Sequence, residues 1–215
     1  MNELDIWKRL YEFRGGSHGH LPLNDDVVEF FKNVSDLIKP TNILEFGTNL
    51  GGSAALQLTL NTQANLTSFD PTIWKLSSGS VNNSYINQRS IFKNVPAVSI
   101  LELVFGSRFT FVNRSSTWVQ SLVTDKFDYV FIDGSHRFRD VQVDIQNCIE
   151  MGIPYLLIDN ISADDNASKV RLEVKEAVDT FSHKLTVVDS LKYEIVHRRT
   201  QAITNDYLIL YKVKD

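Results

Sequence analysis

A single cysteine, Cys148, stands in the 215-residue chain. That excludes an internal disulfide and a cysteine-rich metal site, and its place in a helical pattern makes it a small core residue. Basic excess is also missing. The formal net charge is -4, whereas a dedicated nucleic-acid binder usually carries a basic balance or patch. The short run His197-Arg198-Arg199 reads as solvated surface. No apolar stretch approaches membrane-spanning length, and "MNELDIWKRL" carries charges throughout, unlike a secretory leader. No internal repeat and no linker is visible. At 43% hydrophobic and 22% charged residues, the expectation is one cytoplasmic globular domain over 1–215, with neither nucleic acid nor membrane as partner.

What is present is alternation. "NILEF" (42–46) reads as a strand and 51–61 as a helix, followed by the strand "NLTSFD" (65–70). The stretch 72–95 is rich in Ser and Asn, contains Trp74 and Tyr85, and reads as a long functional loop. A helix over about 96–105 stops at Gly106; "FTFVN" (109–113) follows, then a helix capped by Ser116 and running to about Thr124. "FDYVFID" (127–133) is the most strand-like segment, suited to burial on both faces. A helix over 137–151, the strand "PYLLID" (154–159) and a charged amphipathic helix over 166–182 come next. "KLTVVDSL" (184–191) and "YLILYKV" (207–213) close the chain as strands, with 191–205 as their connection. Such alternation predicts an α/β fold: a doubly wound, mostly parallel, seven-stranded Rossmann-like sheet with helices on both faces. The last two strands lack an intervening helix, so one runs antiparallel. Residues 1–40 form a helical extension (3–13 and 24–38) to a core at 41–215.

"ILEFGTNLGGSAALQL" (43–58) is the first strand-to-helix turn. In open α/β sheets ligands bind beyond the carboxyl ends of the strands, where strand order reverses. The dinucleotide pattern G-x-G-x-x-G is absent. The turn reads Glu45-x-Gly47-x-x-x-Gly51, and a carboxylate there suits an ammonium or sulfonium better than a phosphate. Asp70 ends the next strand, where an acidic side chain can accept from a ribose diol. A cation beside the first strand and a ribose at the second describe S-adenosylmethionine. These residues resemble the first motif of class I S-adenosylmethionine-dependent methyltransferases, over roughly 40–213. By that resemblance Gly47, Thr48 and Gly51 line the methionine moiety and Ser53 meets its carboxylate. "NRSSTW" (113–118) falls where the family contacts adenine, with Ser115 as the contact and Trp118 in stacking reach. The family often has Gly-Asp or Gly-Ser at this corner, where the chain has Arg114-Ser115. Ser116 serves equally well as a helix cap.

A second constellation ends two other strands. "FIDGSHRF" and "LLIDNIS" each place an aspartate at a strand's carboxyl end. If those strands are neighbours, Asp133, Asp159 and Asn160 form a hard-oxygen set suited to Mg²⁺. The set resembles the metal triad of the catechol O-methyltransferase group, and the D-G-x-H segment resembles enzymes that methylate hydroxyls of sugars and small natural products. The resemblance implies that Asp133 also borders the cofactor, and that His136 stands where the catechol enzymes carry a lysine base. A histidine titrating near 6.5 suits general-base catalysis at neutral pH.

The expectation is therefore a metal-assisted O-methyltransferase acting on a small-molecule or sugar hydroxyl. A metal-independent methyltransferase and a non-catalytic S-adenosylmethionine binder, acting as sensor or partner subunit, are the alternatives. A nicotinamide dehydrogenase ranks last because the glycine spacing is wrong for it. The acceptor, a homo-oligomeric assembly and the role of "RGGSHGHLPL" (14–23), with His18 and His20, stay open.

Overall fold

The computed structural model describes residues 25–72, 96–162, 169–196 and 203–214. The expected helix at 3–13, the Gly/His segment 14–23, nearly all of the 72–95 loop and His197-Arg198-Arg199 lie outside the described residues.

Helix α1 (Asp25–Ile38) precedes β1 (Asn42–Phe46), α2 (Gly52–Leu60) and β2 (Asn65–Phe69). Then come α3 (Ala97–Phe105), β3 (Phe109–Val112), a 3₁₀ turn at Ser116–Trp118 and the short α4 (Val119–Leu122). The chain continues through β4 (Tyr129–Ile132), α5 (Phe138–Glu150), β5 (Tyr155–Ile161), α6 (Lys169–Asp179), β6 (Leu185–Val196) and β7 (Ile203–Val213). The seven strands lie in the order β3-β2-β1-β4-β5-β7-β6. The first five are mutually parallel, and β7 runs antiparallel to both its neighbours. The expected doubly wound sheet with one antiparallel strand is what forms.

Burial explains the apolar runs. All four residues of β4 are buried, as are Ile43 to Phe46 of β1, because helices cover both faces. One face packs Ile43, Leu66, Tyr129, Phe131 and Leu157 beneath residues of α1, α2 and α3. The other packs Leu44, Phe46, Val130 and Ile158 beneath residues of α5 and α6, with Cys148 fully buried among them. Helix α2 is buried on every side from Gly52 to Leu58, so it lacks the solvated polar face of a surface helix.

Three boundaries differ from expectation. The helix expected at 116–124 shrinks to a 3₁₀ turn and four α-helical residues. Ser115, not Ser116, caps it, its hydroxyl accepting from the Thr117 amide. The connection expected at 191–205 is largely strand: β6 runs to Val196 and β7 starts at Ile203. The ladder continues past the clear apolar alternation because both partners stay in register, with Tyr193 opposite Asp206.

Candidate active site

Register assembles the site. Phe46 pairs with Phe69 on one side and with Ile132 on the other, and Ile132 pairs with Ile158. The next residue of each strand therefore stands in one row: Gly47, Asp70, Asp133 and Asp159. Backbone hydrogen bonds carry the row outward, from Gly47 N to Phe69 O (2.8 Å) and from Asp133 N to Phe46 O (2.9 Å). Strand order reverses between β1 and β4, so this row faces the crevice where such sheets bind ligands.

A cavity of about 440 Å³ opens there, within the range of small-molecule sites. Gly47, Asn49 and Asp70 border it from β1 and β2, Ser115 to Thr117 from beyond β3, and Asp133 to His136 with Asp140 from the β4 side. Gly47 has φ +96°, and a Cβ there would lie 2.2 Å from the Asp133 carbonyl oxygen. Only glycine lets the two turns close against each other and floor the cavity.

Among the expected cofactor contacts, Gly47, Asp70, Ser115 and Asp133 line the cavity, whereas Glu45, Thr48, Gly51 and Ser53 stand behind the turn. Glu45 is fully buried. Its Oε1 accepts from Ser53 Oγ (2.7 Å) and Gln57 Nε2 (3.1 Å), and its Oε2 accepts from Ser68 Oγ (2.6 Å). Thr48 and Ser68 share a 2.6 Å hydroxyl bond, and Tyr129 donates to Gln57 Oε1 at 2.5 Å. One carboxylate thus ties β1, the turn, α2, β2 and β4 together. Burial, reinforced by the Glu45 charge, holds the Tyr129 phenol well above its usual range. Asp70 accepts the amides of Asn49 (3.0 Å) and Thr72 (2.8 Å), which pins the turn from the β2 side. Gly51, at φ +76°, starts α2 in a left-handed conformation with Leu101 against it. Trp118 is exposed and does not line the cavity.

The second constellation converges. His136 Nε2 and Asn160 Nδ2 each lie 3.4 Å from Asp133 Oδ1. Asn160 has φ +62° at an irregularity in the β5 ladder, and its own amide donates to Asp159 Oδ1 at 2.7 Å. Tyr193 donates to the same oxygen. Asp159 Oδ2 is buried with no hydrogen-bond partner among the described residues. Burial first, and the Asp133 charge second, push Asp159 up to about 8. For His136, burial lowers the pKa, but the hydrogen bond and charge of Asp133, with Asp159 and Asp206 behind it, outweigh that and raise it. Around this cluster stand residues that sequence patterns did not mark: Tyr193, and Arg171, whose Nε lies 2.7 Å from buried Asp206. Tyr193 fell in a stretch read as a connection. Arg171 belongs to the helix read only as charged and amphipathic.

The donor set has the chemistry of a hard-cation site. Its orphaned, buried carboxylate oxygen and its neighbouring carboxylates are what a dication would relieve. The side-chain oxygen and nitrogen of Asn160 exchange by a half-turn, so the amide can also present oxygen. Among the described residues, no group of three His, Cys, Asp or Glu side chains is arranged to hold a metal. The set therefore depends on the Asn160 amide. No described helix is long and apolar enough to cross a membrane.

No curated protein matches the chain. Solved structures do. It resembles the O-methyltransferase TomG from Streptomyces achromogenes, involved in tomaymycin synthesis and solved with S-adenosylmethionine (TM-score 0.65, 17% identity, 98% of this chain and 90% of that one). It also resembles an O-methyltransferase from Bacillus cereus solved with S-adenosylhomocysteine (TM-score 0.63, 12% identity, 99% and 90%). At such identities the likeness establishes the fold. A family model described as "Methyltransferase domain" matches residues 44–155, more than half of the chain, from the glycine turn through the Asp133 row to β5. The chain belongs to this methyltransferase-domain family.

Proposed function

We propose that this protein transfers the methyl group of S-adenosylmethionine to a hydroxyl of a small molecule or sugar, with a divalent cation at Asp133, Asp159 and Asn160. One observation carries the reading: a single cavity joins Asp70 and Ser115 at one end to Asp133 and His136 at the other. Membership of the methyltransferase-domain family supports the cofactor, and the relatives solved with S-adenosylmethionine and S-adenosylhomocysteine support it further. S-adenosylmethionine supplies an electrophilic methyl on a sulfonium, and Mg²⁺ would lower the pKa of a hydroxyl.

The chain's own residues divide the rest of the work. Asp70 accepts from the ribose diol while holding the Asn49 amide. Ser115 borders the adenine end. Gly47, closed on the Asp133 carbonyl, keeps the floor thin enough for close approach. Glu45, Ser53 and Thr48 act from behind by fixing the turn, and Gly51 starts the helix behind it. His136 donates Nε2–H to Asp133 Oδ1, which orients the ring, and its Nδ1 takes the acceptor's proton as the oxygen–methyl bond forms and the carbon–sulfur bond breaks. Attack on a sulfonium neutralises charge, which a water-poor crevice favours. Helix α1 packs against α2 and β6, which supports residues 25–38 belonging to the same catalytic unit.

A metal-independent enzyme is favoured by a different observation. Asn160 and His136 already sit at Asp133 Oδ1, so that carboxylate has partners without a cation. Transfer of radiolabelled methyl from S-adenosylmethionine to a panel of catechols, phenols and sugars, with and without EDTA, tests both readings. Transfer abolished by EDTA and restored by Mg²⁺ supports the first. Transfer indifferent to EDTA supports the second, and no transfer to any hydroxyl acceptor counts against O-methylation.

A further inference from the structure

The acidic cluster receives a residue from a remote strand. β6 is separated from β5 by the whole of β7, yet the Tyr193 side chain spans that gap and its hydroxyl donates to Asp159 Oδ1. The ring is almost wholly buried, in the same apolar cluster as Leu208 and Leu210. Its cross-strand partner Asp206 is engaged by Arg171 Nε at 2.7 Å, so the hydroxyl is left to Asp159.

The distribution of donors on Asp159 is lopsided. Oδ1 receives two, the Tyr193 hydroxyl and the Asn160 amide, and buried Oδ2 receives none among the described residues. A carboxylate turns readily about its Cβ–Cγ bond, and two donors on one oxygen fix that rotation and so the direction in which the other oxygen points. Carboxylates that bind metals are commonly held by such outer hydrogen bonds, which fix the oxygen that remains.

We propose that Tyr193 is a positioning residue of this site: with the Asn160 amide it occupies Asp159 Oδ1 and thereby reserves Oδ2 for a divalent cation. The proposal rests on the metal-assisted reading of the cluster. Tyr193 touches neither cofactor cavity nor reacting atoms, and acts only through Asp159.

The test uses the full chain and Mn²⁺ as probe, titrated by electron paramagnetic resonance with saturating S-adenosylhomocysteine present. The cofactor product holds a weakened variant folded by mass action, and near-ultraviolet circular dichroism checks packing. Tyr193→Phe should bind Mn²⁺ about 10–100-fold more weakly, the usual cost of losing an outer-shell partner, while its affinity for S-adenosylhomocysteine stays that of wild type. Mn²⁺ affinity within twofold of wild type overturns the proposal and leaves the metal reading standing. Parallel loss of Mn²⁺ and cofactor product marks general damage and also overturns it. Wild-type protein that binds no Mn²⁺ removes the metal reading and the proposal together. A measurement needing no variant adds a second hold. With the seven tyrosines replaced by 3-fluorotyrosine, stoichiometric Mn²⁺ should broaden at least one ¹⁹F resonance beyond detection. If every resonance stays sharp, Tyr193 is not beside the bound cation and the proposal fails.

Discussion

Replacing Gly47 by alanine separates two effects that glycine usually confounds. Gly47 has φ +96°, and a Cβ there would meet the Asp133 carbonyl oxygen at 2.2 Å, the carbonyl carbon at 2.7 Å and the Gly134 Cα at 2.8 Å. Gly152, just past α5, has φ +70° and nothing within 4 Å of its Cβ position. Gly152→Ala should therefore cost only left-handed strain, about 1–2 kcal/mol. Gly47→Ala carries similar strain and must also push two backbone segments apart, adding about 1–3 kcal/mol of overpacking. The expected losses are about 2–5 kcal/mol for Gly47→Ala against about 1–2 kcal/mol for the control. Urea unfolding at neutral pH gives both from midpoint shifts at a common m-value. The Gly47 variant should also bind S-adenosylhomocysteine more weakly, because the displaced Asp133 segment walls the cavity; the Gly152 variant should not. Equal losses in the two variants would refute the close approach of the β1 and β4 turns, and with it the floor of the site.

Glu45→Ala strips an acceptor from Ser53, Gln57 and Ser68 in a fully buried network; a loss of about 3 kcal/mol or more is expected from stranding three donors, read by the same unfolding assay. Asp144, on α5, is pushed up to about 7 by burial, with the Asp140 charge adding and the Ser116 hydroxyl opposing. Its folded pKa lies above the unfolded value, so stability should fall as pH rises from about 4 to about 7 and then level off. Asp144→Asn should flatten that slope and gain about 2–4 kcal/mol at pH 8; an unchanged profile of melting temperature against pH would contradict the assignment. His136→Ala should leave cofactor binding intact and slow methyl transfer by about 10²–10⁴-fold, the range for a lost general base; single-turnover rates decide it. Asp159→Asn should weaken Mn²⁺ binding while sparing S-adenosylhomocysteine, which calorimetry separates.

The row was legible because each apolar run in it is short and is broken by a residue that does not belong in a core. Glycine at 47 and aspartate at 70 and 133 mark the points where the chain leaves the sheet, and aspartate at 159 falls at the irregularity in β5, which continues to Ile161. Which face each side chain takes was less legible. Glu45 sits one residue before the last residue of β1, and the alternation of the strand turns it inward, towards α2, rather than into the crevice. Its partners Ser68 and Gln57 look like ordinary polar residues in sequence, since nothing local announces that they share one carboxylate. Tyr193 was invisible for a topological reason. Its target is 34 residues away in sequence and across an intervening strand, and β6 lacks a strong apolar pattern where Tyr193 lies. The 3₁₀ turn at Ser116 was misjudged because Ser115 and Ser116 are equally good caps by type, and the strand end decides between them.

Titration calorimetry of the full chain with S-adenosylmethionine, with NAD as the comparison and Asp70→Ala as the control, tests the central claim most directly. Wild-type protein should bind one S-adenosylmethionine per chain and no NAD, and removal of the Asp70 carboxylate should weaken binding about tenfold or more, as expected for one charge-assisted contact. Absence of S-adenosylmethionine binding by folded wild-type protein, or undiminished binding by Asp70→Ala, would contradict it.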